Sequence, residues 1–353
     1  MTKTCGKTDE VTDVKKDIQL RFKNGKFRIF TLSDTHVVAN GDRRITRDIA
    51  AIVEAIRPDL VLFLGDQVWE SAAENADTLR QALHMQTDPI ESRGIPWAHV
   101  FGNHDCERGF QNEDQEKIYE AFPHCISEAG PDGIDGTGNY MLPVFDSAGK
   151  KIVYAVWAMD SHRGFMDFVQ KHGLREDPWF YRLPEPPSGG VHSPGYDMPH
   201  FNQVLWYWNR SVELEREQGG KVPGLMVMHQ PVPEYTIPYK NPAQTLYRGN
   251  MRESVGTGNY NSGLFGAVVE RGDVRTMVCG HDHINDWQAE YLGVTLAYDA
   301  GLSYDNYCDD DLRGGRVIDV DESDPWNVKT YMVRASDCVA DYPGQKPEEV
   351  GEC

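Results

Sequence analysis

The sequence predicts an α/β fold with parallel strands, and two observations carry that expectation. Short apolar runs alternate with stretches of helical periodicity, in the order strand, helix, strand, helix, strand, over the first hundred residues. Each of those runs stops at a polar cluster, and open α/β sheets place their ligands just beyond the carboxyl ends of their strands.

Residues 1–16 are polar and charged and read as a flexible lead-in. Phe27 to Leu32 is an apolar run ending at Ser33-Asp34, as a buried strand would. From about Thr46 the residues Ile49, Ile52, Val53 and Ile56 repeat at helical spacing until Pro58 stops them. Leu60 to Leu64 is a second buried strand closing on Gly65-Asp66. A helix over Ala73 to Met85 and a strand over Trp97 to Phe101 complete the pattern, closing on Gly102-Asn103-His104. Gly138-Asn139-Tyr140 followed by Lys151 to Met159 suggests a further strand. Residues 172–200, rich in Gly, Pro and aromatic side chains, read as a long surface loop.

Phe201 to Glu217 has helical spacing (Val204, Leu205, Trp208, Val212, Leu214) and stops at Gly219-Gly220. In that stretch Trp206 and Trp208 are expected in the core. Val222 to Met228 and Val274 to Cys279 are strands ending at His229 and at Gly280-His281-Asp282-His283. Trp287 to Val333 looks strand-rich, with Gly293 and Gly314-Gly315 as turns. With no internal repeat, the simplest organisation is one catalytic domain over 17–335 and a tail over 336–353.

Composition limits the function classes. Of 353 residues, 40% are hydrophobic and 25% charged, ordinary for a globular protein. A net charge of −20 argues against a nucleic-acid groove. No apolar stretch is long enough to span a membrane. No signal peptide is visible as the chain stands, although a removed signal would leave the same appearance, so the compartment stays open, as does oligomeric state. The seven cysteines show no CxxC pair, and their odd number excludes complete internal pairing; Cys106–Cys125 is the candidate bridge. The acidic run Asp309-Asp310-Asp311 reads as a solvated loop.

The chemistry lies in five clusters: Asp34-x-His36, Gly65-Asp66, Gly102-Asn103-His104-Asp105, His229, and Gly280-His281-Asp282-His283. Taken singly, each has a plain structural reading as a strand-end turn or a rim histidine. Together, in this order, they are hard to obtain by chance. Asp34, His36, Asp66, Asn103, His229, His281 and His283 are oxygen and imidazole donors, suited to Mn, Fe or Zn rather than Cu(I) or an iron–sulfur cluster. Seven donors exceed the needs of one ion. A carboxylate bridging two ions resolves the excess, and paired ions are the usual answer to phosphoester hydrolysis.

This series resembles the calcineurin-like metallophosphoesterase superfamily. Longer stretches resemble its purple-acid-phosphatase-29-like branch: Gly138 to Pro143, Met228 to Glu234, Asn261 to Phe265, and Gly280 to Trp287. The resemblance runs from about Arg28 to about Val333. It implies a four-layer α/β/β/α sandwich with two central mixed sheets. It implies two divalent or trivalent ions, the first on Asp34, His36, Asp66 and His283, the second on Asp66, Asn103, His229 and His281. A hydroxide between them would attack phosphorus, His104 would protonate the leaving oxygen or stabilise the phosphate, and Asp105 or Asp282 would orient an imidazole.

The partner implied is a small phosphorylated substrate, most simply a monoester. A phosphodiester of a nucleotide or lipid headgroup is the alternative, and an inactive scaffold the remote one. Arg163 and Arg248 are candidates for a phosphate oxygen. Two positions depart from the coloured members of the family: Trp69 stands where they carry a tyrosine and His36 where they carry a glycine, so no tyrosinate-to-iron colour is expected.

Overall fold

A computed structural model describes residues 18–181, 195–340 and 342. The expected lead-in, the stretch 182–194 of the long loop, and residues 341 and 343–353 of the tail lie outside the described residues.

In chain order the strands that build the site begin with β1 (Lys26–Leu32), β2 (Leu60–Leu64) and β3 (Trp97–Val100). They are parallel neighbours, and β10 (Gly314–Asp321) and β11 (Asp324–Arg334) extend the sheet antiparallel in the order β11-β10-β1-β2-β3. The second sheet runs β4-β5-β6-β7-β9-β8. Its strands are β4 (Tyr140–Phe145), β5 (Ile152–Ala158), β6 (Gly224–Val227), β7 (Val274–Cys279), β8 (Gln288–Tyr291) and β9 (Val294–Tyr298). Here β5, β6, β7 and β9 are parallel, with antiparallel strands at both edges.

Alternating side chains place the two sheets face to face. Ile29, Leu60, Leu62 and Leu64 pack with Val156, Leu225, Val227 and Val278 between the sheets. The opposite faces pack outward. Phe30, Leu32, Val61 and Phe63 meet α1 (Arg44–Ile56) and α2 (Ala76–Glu91). Trp157, Met226 and Met277 meet α5 (Phe201–Gln218) and α7 (Leu264–Arg271). The result is a helix/sheet/sheet/helix sandwich, and central strands buried on both faces explain the unbroken apolar runs in the sequence. The remaining helices are α3 (Asn112–Tyr119), α4 (Phe165–Lys171), α6 (Thr236–Lys240) and α8 (Ala335–Cys338).

Several local expectations need correction. The second helix starts later and runs further than Ala73–Met85. Asn75 caps it by accepting from the Asp77 and Thr78 N–H groups. Pro89 lies inside it, and the Met85 carbonyl that a proline leaves unbonded accepts from Thr46 Oγ1 at 2.6 Å instead. Gly314-Gly315 is no turn but the start of β10, where a side chain on Gly315 would strike the Thr31 carbonyl and the Phe30 ring.

In α5 the fully buried aromatic is Tyr207, while Trp206 is only partly buried and Trp208 lies beneath the Arg271 guanidinium. Leu205 on that helix is exposed. Cys106 and Cys125 are free thiols. Asp309 and Asp311 both pair with Arg252, so that run is an ion-paired loop. Among the described residues no helix is long and apolar enough to cross a membrane.

Candidate metal centre

All seven expected donors sit just past the carboxyl ends of parallel strands. Asp34 and His36 follow β1, Asp66 follows β2 and Asn103 follows β3. His229 follows β6, and His281 and His283 follow β7. Backbone bonds lock the loops together: Asp34 N–H donates to the Gly65 carbonyl, His36 N–H to that of Asp66, and Gly280 N–H to that of His229. Asp34, His36, Asp66 and His281 all adopt positive φ (50°, 45°, 48° and 73°), a costly backbone for residues other than glycine and one that concentrates at functional sites. Gly65, at φ 90°, leaves the space that His229 Nδ1 needs, since a Cβ there would lie 2.7 Å from it.

The donors divide into two groups. Asp34, His36 and His283 form one and Asp66, His229 and His281 the other, with donor atoms inside each group within 4.8 Å of one another. In the first, His36 Nε2 lies 3.1 Å from His283 Nε2, and His283 Nε2 lies 3.4 Å from Asp34 Oδ1. In the second, His229 Nε2 is 3.1 Å from Asn103 Oδ1 and 3.2 Å from His281 Nδ1. Asp66 Oδ2 stands between the groups, 3.1 Å from His229 Nε2 and 3.6 Å from His36 Nε2.

The hydrogen bonds around the donors leave the right atoms for cations. His229 Nδ1 lies 2.8 Å from the Leu64 carbonyl and His283 Nδ1 2.8 Å from that of Tyr307, so in each ring Nε2 is the nitrogen that faces inward and would meet a cation. Asp34 Oδ2 accepts from the His281 N–H and the Ser33 hydroxyl, whereas Asp34 Oδ1, fully buried, has no hydrogen-bond partner. A buried carboxylate oxygen aimed at two imidazole nitrogens is what a cation site requires.

Charge follows the same layout. Burial pushes the His36 and His281 imidazoles down to about 3, which keeps them neutral. Burial also opposes charge on His229, but the Asp66 carboxylate outweighs it and raises that imidazole to about 10. Asp66 itself, despite its burial, is held well below the usual carboxylate range by His229 and His36. A cation entering beside Asp66 would displace the His229 proton.

His104 differs from the seven. Its side chain is 32% exposed, its Nε2 lies 4.0 Å from Asp66 Oδ2, and its backbone N–H donates to Asp66 Oδ1. Its Nδ1 lies 2.8 Å from Glu107 Oε1, an ion-pair approach without hydrogen-bond alignment. Asp105 orients no imidazole. Its carboxylate is buried and accepts from the backbone N–H groups of Asp66, Gln67, Val68 and Gly102, so it clamps the loops that carry the donors. Asp282 likewise accepts from Gly256 N–H and the Tyr298 hydroxyl.

Of the two candidate arginines, Arg163 reaches the centre, donating Nε to the Asn103 carbonyl at 3.2 Å. Arg248 pairs its backbone with Gln288 at the start of β8. Trp69 sets its ring edge-on to His36 at 5.7 Å between centroids. Sequence reasoning missed Ser33, Glu107, Gln230 and Tyr307. Gln230 donates to the Arg163 carbonyl, and Tyr307 stacks on His283 at 4.0 Å. Adjacency to a motif is a signal that could have found Ser33, Glu107 and Gln230, and Tyr307 has none.

Comparison with known proteins agrees with this geometry. The family model described as calcineurin-like phosphoesterase matches residues 27–285. Two Arabidopsis thaliana proteins, named "Probable inactive purple acid phosphatase 14" and "Probable inactive purple acid phosphatase 29", are each 29% identical. Both alignments cover 82% of this chain, and 74% and 75% of those proteins. "Phosphatase DCR2" of Saccharomyces cerevisiae is 27% identical over 74% of this chain and 45% of its own length. Among solved structures, a dimetal phosphatase from Danio rerio shares the fold, with a TM-score of 0.53 and 15% identity over 83% of this chain and 95% of that one.

Proposed function

From the premise that the chain belongs to the calcineurin-like phosphoesterase family, we propose that it hydrolyses phosphate esters at a dinuclear metal centre, with monoesters as its substrates. The observation that carries this reading is Asp66 Oδ2, set between two groups of converging imidazole and carboxylate donors.

Asp34, His36 and His283 would hold one ion and Asn103, His229 and His281 the other, with Asp66 shared. When bound, the pair supplies an acidified water and neutralises charge on the phosphate. The chain's own groups do the rest. His104, the half-buried imidazole at the rim, delivers a proton to the leaving oxygen, with Glu107 Oε1 2.8 Å from its Nδ1. Arg163, anchored on the Asn103 carbonyl, is placed to meet a phosphate oxygen.

Two Arabidopsis relatives carry "inactive" in their names. Support for activity here comes from all seven donors and His104 converging in this chain. The preference for monoesters rests on likeness to proteins named phosphatases.

The test is turnover of paired chromogenic mono- and diesters by protein loaded with Mn, Fe or Zn. Faster monoester cleavage supports the reading. Faster diester cleavage moves the substrate to a nucleotide or lipid headgroup, and no turnover with either supports a non-catalytic role.

A further inference from the structure

Beside the dinuclear centre lies a second set of metal-capable side chains that the reaction above does not use. His162 follows β5, Asp197 precedes α5, and His200 is the residue that caps it. Each offers one donor atom, and the three lie within 4.8 Å of one another. Asp197 and His200 are buried, and the His162 and His200 rings stack with centroids 4.0 Å apart.

The surrounding hydrogen bonds set the tautomers. Gln203 Nε2 donates to Asn139 Oδ1 at 2.8 Å and to the Asp160 carbonyl at 2.7 Å, which makes Gln203 Oε1 an acceptor. His162 Nε2, 2.8 Å from that oxygen, therefore carries the proton, and Nδ1 is the lone-pair nitrogen. His200 Nδ1 lies 2.7 Å from Asp135 Oδ2 and Nε2 3.3 Å from Asp197 Oδ2, so the ring donates to both carboxylates, and a cation at Nε2 would take the place of the proton on the Asp197 side.

That last contact is long for a charged hydrogen bond. It matches the edge of a tetrahedron with bonds of about 2.0–2.2 Å to nitrogen and oxygen. The Asp135–His200 pair also has the carboxylate–imidazole form that orients a metal-bound histidine. Lys171, 2.7 Å from Asp135 Oδ1, balances the outer carboxylate. His162 shares one further property with the donors of the dinuclear centre: a left-handed backbone, φ 62°, like those of His36 and His281.

We infer that His162, Asp197 and His200 form a third, mononuclear metal site, taking a divalent ion of the zinc class. Two imidazoles and one carboxylate suit zinc and disfavour the hard ions magnesium and calcium. The site lies in the wall of a pocket of about 420 Å³ that also holds Arg163 and Lys171, and three protein ligands leave a coordination position for water or an anion. The ion ties the turn after β5 to the start of α5. The residue after His162 is Arg163, whose Nε meets the Asn103 carbonyl, so the tie also steadies the rim of the dinuclear centre.

The test is elemental analysis of the full chain after zinc loading and desalting, on wild type, His200→Ala, His162→Gln and Asp66→Ala. His162 is half-buried, so its glutamine variant guards against misfolding of the core substitution, and circular dichroism checks each fold. The expected result is one ion per chain fewer in His200→Ala and in His162→Gln, with an ion retained in Asp66→Ala and lost when His200→Ala is added. Folded His200→Ala and His162→Gln proteins holding as many ions as wild type would overturn the site. So would a folded Asp66→Ala protein holding none. A wild type holding a single ion, lost in His200→Ala and kept in Asp66→Ala, would uphold this site while removing the dinuclear reading.

Discussion

Asp66 Oδ2 and His229 Nε2 stand 3.1 Å apart across the seam between the two sheets, one following β2 and the other β6. Neither residue has a route to the other through its own sheet. Their meeting depends on the face-to-face packing of Leu62 and Leu64 against Leu225 and Val227. The centre is therefore a product of the sandwich, and each ligand's position is fixed by a loop that other loops hold.

His104→Ala is expected to lower turnover on an ester with a poor leaving group by about 10²–10⁴-fold, the usual worth of a positioned acid. Metal content should not change, because His104 Nε2 is 4.0 Å from Asp66 Oδ2 and belongs to neither donor group. Steady-state rates beside elemental analysis check this. Equal rates for leaving groups of all basicities would remove His104 from proton delivery.

Asp105→Asn should be costly although Asp105 touches no substrate position. The amide places a donor against backbone N–H groups that now meet a carboxylate: those of Asp66, Gln67, Val68 and Gly102. A loss of about 3 kcal/mol or more is expected, from several charge-assisted bonds weakened in a buried place. Urea denaturation reads it directly, and an unchanged midpoint would contradict the clamp.

The Asp299 carboxyl sets a pH dependence. Burial raises it to about 8, and the Thr31 hydroxyl and Arg316 offset that only in part. Its unfolded value is about 3.9, so the folded state binds more protons between about pH 4 and 8 and stability falls as pH rises through that window. Asp299→Asn should flatten the fall, being most stabilising relative to wild type near pH 8. Denaturation at pH 5 and pH 8 tests it, and an equal slope in both proteins would refute it.

Iron-loaded protein should lack a tyrosinate-to-iron absorption band, because Trp69 presents an indole to His36. A visible band that disappears on mutating a tyrosine would show that another phenol reaches the metal.

The strands that carry the ligands are legible in the sequence because burial on both faces leaves Leu60–Leu64 and Val274–Cys279 as unbroken apolar runs with polar stops. Short helices such as Leu264–Arg271 escape notice, since eight residues give barely two turns of periodicity. Gly314-Gly315 misleads because glycine signals turns and close backbone approach alike. Asp105 stands in a motif of chemistry and works on the backbone, a distinction that only hydrogen-bond geometry reveals. The group of His162, Asp197 and His200 is hard to see in the sequence, since His162 joins the local Asp197–His200 pair only when β5 and α5 pack together.

The most direct test of the dinuclear hydrolase is metal content and phosphatase turnover measured together on wild type and Asp66→Ala. The prediction is that both ions of the centre and turnover are lost on removing the shared carboxylate, with only an ion at His162, Asp197 and His200 remaining. Unchanged metal content and unchanged turnover in Asp66→Ala would contradict it.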